Sequence, residues 1–263
     1  MTQTDNTDRH GKTIAFVSAR GGTGTTTVAT NVAVAIAHYS RARTTFLDLN
    51  LGRTIADQLL DLPADGVGTV SDLLPVLSEL GSELPSRDVL SQAQVAHATG
   101  LQVMIASRDV EVPIVPDELI HQLVKGVAAT SDVVIVDVAS VFDGPAMAAL
   151  AAADRVLVVA TPDVPTLKRT KALVQRLRAL KPETAAVRVV LNEANGSSEL
   201  TLQQIEAFLG EPAWSVLPSA AAESRKYHDR RQVPVLDLGG PFGKALYLTA
   251  LKLHPMKRLA KPK

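Results

Sequence analysis

One stretch of this chain constrains its fold more than any other. Ser18, Ala19, Arg20, Gly21, Gly22, Thr23, Gly24, Thr25, Thr26 and Thr27 follow an apolar, β-branched run, TIAFVS, and lead into a long Ala/Val-rich segment. Glycines let successive backbone N–H groups turn into one concavity, and a helix that starts there adds the positive end of its dipole. A strand, a glycine turn and a helix in that order form the phosphate loop written G-x-x-x-x-G-K-S/T, whose last hydroxyl ligates Mg²⁺. Here Ala19 stands in the first glycine position, Thr25 in the lysine position, and Thr26 supplies the Mg²⁺-ligating hydroxyl.

The lost lysine matters energetically. An ion pair at about 4 Å and an effective dielectric of about 20 is worth roughly 4 kcal/mol before desolvation. A net third of that is about tenfold in affinity. Arg20 is the candidate to compensate, because a guanidinium suits phosphate oxygens. Two other readings of the loop stay open. One is a glycine turn that binds nothing. The other is a dinucleotide fold, with Gly22 and Gly24 as G-x-G and Asp48 as the ribose acid, although Thr27 holds the third glycine position.

Beyond the loop, short β-branched runs alternate with longer amphipathic ones, which predicts an α/β three-layer fold on a mainly parallel sheet of about seven or eight strands. Strands are predicted over 13–18, 44–49, 95–97, 101–106, 131–137, 155–160, 186–191 and 212–217. Helices are predicted over 26–39, 55–60, 70–77, 116–129, 143–153, 165–180, 200–209, 220–231 and 241–253. Apolar residues make up 46% but aromatics only 3%, so Ala, Val, Leu and Ile must fill the core. One domain is expected over 12–253, between a disordered segment at 1–11 and a flexible basic tail at 254–263.

Composition removes whole classes of chemistry. There is no cysteine, which excludes thiol nucleophiles, iron–sulfur clusters and cysteine-ligated zinc. The six histidines show no zinc-ligand spacing, and no serine sits in a G-x-S-x-G elbow. Lys plus Arg and Asp plus Glu both count 27, a balance that argues against a dedicated nucleic-acid binder. No apolar run is long enough to span a bilayer and the first residues are polar, so the default location is the cytoplasm. Two acids complete the constellation. Asp137 ends the apolar run VVIVD, as the Mg²⁺-organising acid of a phosphate-loop nucleotidase does, and Asp48 lies near the end of FLDL. Asp137 could instead be a helix N-cap or turn residue.

These residues resemble the ParA/MinD family of deviant phosphate-loop ATPases. VSARGGTGTTTVATNVAVAIA is similar to the family loop K-G-G-x-G-K-S/T-S/T, FLDLNLG to its D-x-D motif, and VVIVD to its Walker B strand. ATGLQVMIAS, VLVVATPDVPTLKRTKALVQRLRAL and VRVVLNEA resemble the CpaE/TadZ pilus-assembly branch. The resemblance spans about 12–253. It implies ATP and Mg²⁺ as cofactors, with Arg20, Gly21, Gly22, Thr23, Gly24, Thr25, Thr26 and Thr27 on the phosphates. Thr26 and Asp137 would hold the metal, Asn192 would recognise adenine, and Pro218 would pack the base. It also implies an ATP-sandwiched homodimer, with Arg20 reaching the partner's nucleotide in place of the family's first lysine.

The departures shape the functional expectation. Asp48 matches the first acid of D-x-D, but Asn50 replaces the acid that positions the attacking water, and Val138 and Ala139 replace prolines common after Walker B. Asparagine can hydrogen-bond a water but cannot take its proton. The expectation is a nucleotide-dependent spatial regulator with weak or absent hydrolysis that localises or assembles a pilus, secretion or polarity machine. The competing readings are an active partition or septum-site ATPase on DNA or membrane, and a nucleotide-free interaction scaffold. Lys168, Arg169, Lys171, Arg176 and Arg178, and separately Arg225, Lys226, Arg230 and Arg231, read as solvated faces or as DNA patches. The basic tail would need a second signal for stable contact with the inner face of the membrane or the cell pole, and reads first as a solubilising segment.

Overall fold

The computed structural model describes residues 10–51, 54–63, 68–107, 115–140, 143–180, 186–193, 199–220, 227 and 233–256. The basic cluster at 225–231 and the tail from 257 lie outside these residues, as does nearly all of the helix expected over 220–231.

Eight strands form one sheet: β1 (Lys12–Val17), β2 (Thr44–Leu49), β3 (Val95–Ala96), β4 (Gln102–Met104), β5 (Val133–Val138), β6 (Arg155–Ala160), β7 (Val187–Asn192) and β8 (Ser215–Leu217), in the spatial order β3-β4-β2-β5-β1-β6-β7-β8. All neighbours are parallel except the β3/β4 hairpin at one edge, which turns through Thr99 and Gly100. The β-branched runs form strands because both faces are covered, which parallel sheets require.

Alternation along the strands divides the core. Ile14, Phe16, Phe46, Val133, Ile135 and Leu157 point to the face carrying α1 (Thr25–Ser40), α2 (Ala56–Leu59) and the C-terminal helix Pro241–Leu253. Ala15, Val17, Leu47, Val134, Val136 and Val158 point to the face carrying α3 (Val70–Glu79), α4 (Arg87–Ser91), α5 (Asp117–Thr130), α6 (Gly144–Ala152), α7 (Val164–Leu180) and α8 (Leu202–Leu209). The C-terminal helix, α9, buries Phe242 and Leu246 but leaves Leu248 about half exposed, two residues off the packed stripe. Helix starts are chemically marked. Asp143 caps α6 through Ala146, and Thr201 with Gln204 forms a capping box on α8.

The Gly11 amide donates to the Ala128 carbonyl, and Met256 is buried beside α9. From β1 the chain passes to β2 on one side, beyond β5, and later to β6 on the other. That divergence makes β1 a topological switch point, and open α/β sheets bind ligands at the carboxyl ends of the strands at such a point.

Candidate functional site: a phosphate loop above two buried acids

The loop after β1 takes its shape from two glycines. Gly22 and Gly24 have φ of 83° and 81°, a region costly for side chains. Gly24 directly precedes α1, and its carbonyl accepts from Val28. Helix α1 is buried from Val28 to Ala37 and has no acid in its first turn, which leaves its positive end free for an anion. The Ser18 hydroxyl donates to the Arg20 carbonyl, and the hydroxyls of Thr23 and Thr25 are 2.9 Å apart. Thr25 thus ties the loop to itself where a lysine would extend a charge.

Asn192 closes the loop from behind. It is the last residue of β7, it is 3% exposed, and its Nδ2 donates to the Thr23 carbonyl at 2.8 Å. Pro218, half-buried, follows β8, whose Leu217 is in register with Asn192. The two residues expected at the base therefore share one end of adjacent strands.

Under the loop, Asp48 on β2 and Asp137 on β5 are register partners and both are buried. Asn50 joins them. Its Nδ2 donates to Asp48 Oδ1 at 3.0 Å and to Asp137 Oδ2 at 2.6 Å, and its backbone amide donates to Asp48 Oδ1 at 2.8 Å. Thr54 donates to the other oxygen of Asp48. Burial, and then the charge of Asp48, pushes the Asp137 carboxyl well above the ordinary carboxylate range, against the opposing pull of Thr26 and Asn50. Burial raises Asp48 too, opposed by Thr54, Asn50 and the Ala106 amide. Asp137 Oδ1 is buried without a hydrogen-bond partner. An orphaned acceptor beside the Thr26 hydroxyl is what a hydrated divalent cation would satisfy, so the residues fit Mg²⁺.

Arg20 lies on the rim. Its Nη1 is 3.7 Å from Asp163 Oδ1 and donates to Thr166 Oγ1 at 3.4 Å, with the guanidinium side chain about half exposed. Asp163 itself caps α7 by accepting from the Thr166 amide and also accepts from Thr161. Desolvation pushes its carboxyl up, but those hydrogen bonds and the Arg20 charge outweigh it and hold the group below its usual range.

Sequence reasoning missed Thr54 and the Thr161–Asp163–Thr166 seat of Arg20. The D-x-P-T spelling at the start of α7 is a cap signal that could have found the latter.

The geometry agrees with what comparison finds. Residues 11–188 match the family model described as "AAA domain". This chain belongs to that family. An uncharacterized ATP-binding protein of Methanocaldococcus jannaschii is 23% identical over 206 residues, which is 78% of this chain and 73% of that protein. A ParA family ATPase from Chlorobium tepidum has a TM-score of 0.79 and 21% identity, covering 94% of this AAA-domain chain and 100% of that one. The septum site-determining protein MinD of Pyrococcus horikoshii, complexed with Mg-ADP, has a TM-score of 0.75 and 18% identity, covering 93% and 96%. The AAA domain described here thus has the ParA/MinD phosphate-loop fold. Among its described residues no helix is long and apolar enough to cross a membrane.

Proposed function

We propose that this AAA domain is a nucleotide-dependent switch that binds ATP with Mg²⁺ and hydrolyses it weakly or not at all. The observation that carries this reading is the position of Asn50, whose amide is spent on Asp48 and Asp137. An amide has no basic site for a proton at neutral pH, and both its donor hydrogens are engaged in bridging carboxylates. General-base help to an attacking water therefore has no source at this position.

Gly21 to Thr27 would hold the phosphates, Thr26 and Asp137 the metal, and Asn192 and Pro218 the base. Bound Mg²⁺ would supply charge neutralisation at the β- and γ-oxygens and would relieve the repulsion between the two acids. A second copy of the chain, facing this one across the nucleotide, would take Arg20 from Asp163, an exchange that an exposed pair of little net strength permits. The CpaE/TadZ-like spelling of β6, α7 and β7 supports a role in localising or assembling a pilus or secretion machine.

A DNA-acting ATPase is the second reading, favoured by the exposed Lys168, Arg169 and Arg176 of α7. The same face is partly engaged, because Lys171 donates to the Phe208 carbonyl and Arg178 pairs with Glu211. Calorimetric titration with ATP, ADP and NAD in Mg²⁺, with Thr26→Ala as control, tests the proposal. ATP binding lost in the variant supports it. Binding of none of the three makes the chain a scaffold, and NAD binding alone makes it a dinucleotide protein. DNA-stimulated turnover with steep salt dependence would favour the second reading.

A further inference from the structure

We infer that Asn192 is a positioning residue for the phosphate loop, a strut through which the base end of a bound nucleotide acts on the phosphate end. This rests on the reading of the loop as a nucleoside triphosphate site.

The strut is a single buried hydrogen bond between residues 169 positions apart in the chain, from Asn192 Nδ2 to the Thr23 carbonyl. Both residues are almost fully enclosed, at 3% and 1% exposure. The Thr23 carbonyl and the Gly24 N–H belong to one planar trans peptide and point in opposite directions. Anchoring the carbonyl to β7 therefore fixes the direction of the Gly24 N–H, one of the donors on which a phosphate cradle depends.

Gly24 is shaped for this contact as well as for its positive φ. A Cβ on Gly24 would stand 2.5 Å from Asn192 Nδ2, so a side chain there would displace the strut. Thr25 strengthens the need for it. A lysine in that position would hold phosphate by charge, whereas Thr25 makes the cradle depend on well-aimed backbone donors.

The other end of the same amide is an acceptor. Asn192 Oδ1 is buried and has no hydrogen-bond partner. A carbonyl can only accept, so the Thr23 bond fixes which end of the Asn192 amide is nitrogen and leaves an acceptor unfilled. An exocyclic amino group on a purine fills it, and an oxo group in that place repels it. Because the amide is one rigid plane, a base that engages Oδ1 also clamps Nδ2 on Thr23. Base identity and loop order are coupled through one side chain.

The test uses a ligand without a base. Affinities of the full chain for Mg²⁺-tripolyphosphate, ATP and GTP are compared by calorimetry with those of Asn192→Ala and Asn192→Ser, each checked for native circular dichroism. The loss of one well-placed hydrogen bond predicts about tenfold weaker tripolyphosphate binding in both variants, together with a reduced ATP-over-GTP preference. In the ligand-free protein, amide exchange at Gly24 and Thr25 is expected to speed up in the variants. If tripolyphosphate affinity and exchange are unchanged while ATP weakens, Asn192 reads the base alone and the strut is refuted. If the wild-type chain binds neither ATP nor tripolyphosphate, the nucleotide reading itself falls and takes this inference with it.

Discussion

Asp48 and Asp137 stand side by side on adjacent parallel strands, both buried, and are held together by one amide that donates to each. Two carboxylates in a water-excluded layer repel each other and lose hydration. Asn50 offsets part of both costs from a position where a third acid would add to them. The same residue that offsets these costs carries an amide, which cannot take a proton from water.

Replacing Asn50 by Asp tests that balance. Asn50→Asp removes two donated hydrogen bonds and adds a like charge beside two others. Urea unfolding at pH 8 is expected to show a loss of about 2–4 kcal/mol without Mg²⁺. A smaller loss is expected at pH 5, where protonation relieves the repulsion. A variant as stable as the wild type at both values would show that the amide is dispensable.

The pair also gives the native protein a pH signature. A carboxyl raised above its ordinary value of 3.8 keeps its proton longer in the folded than in the unfolded chain. Folded stability contributed by this pair is thus present below that value and declines as pH rises through the raised range. Asp163, held low, contributes with the opposite sign, gaining as pH rises through 3.8. The difference between wild type and Asp137→Asn isolates the pair. The wild type should lose stability relative to the variant as pH rises above 3.8 into the raised range. A difference that does not vary with pH would contradict the assignment.

Much of the fold was legible because its signals are local. The strands over 44–49 and 155–160 and the helix over 241–253 match the expected bounds, since β-branched runs and a Gly-Pro start leave little choice. Helix α4 escaped notice because its five residues show no helical period, and only Ser86, which accepts from Val89, marks it. Residues of the candidate site can be picked out of the sequence, but the network that joins them cannot. Nothing local tells that Asn192 reaches Thr23, or that Asn50 bridges two acids on different strands, because those contacts exist only once the sheet has assembled.

Two of the loop's three glycines, Gly24 and Gly21, should behave differently. At Gly24, a positive φ and the nearby Asn192 predict that Gly24→Ala costs at least about 1–2 kcal/mol in thermal or urea unfolding. Gly21 lacks a positive φ and has open space where a Cβ would sit, so Gly21→Ala should change stability by less than about 0.5 kcal/mol. Similar costs at both positions would mean that the loop is not shaped as described.

Asp163 has two roles that can be separated. Asp163→Ala removes the cap on α7 and should cost about 1 kcal/mol in urea unfolding. Asp163→Asn keeps a capping oxygen and loses only an exposed ion pair, which is worth about 0.2–1 kcal/mol. The alanine variant should therefore be the less stable of the two, and the reverse order would assign the stability to the charge.

Phosphate release from ATP, measured side by side on the wild-type chain and Thr26→Ala in Mg²⁺, tests the central claim most directly. The account predicts that both run at or near background while the wild type alone binds ATP. Sustained turnover by the wild type, abolished in Thr26→Ala, would show that Asn50 and Thr25 do not disable hydrolysis and would contradict it.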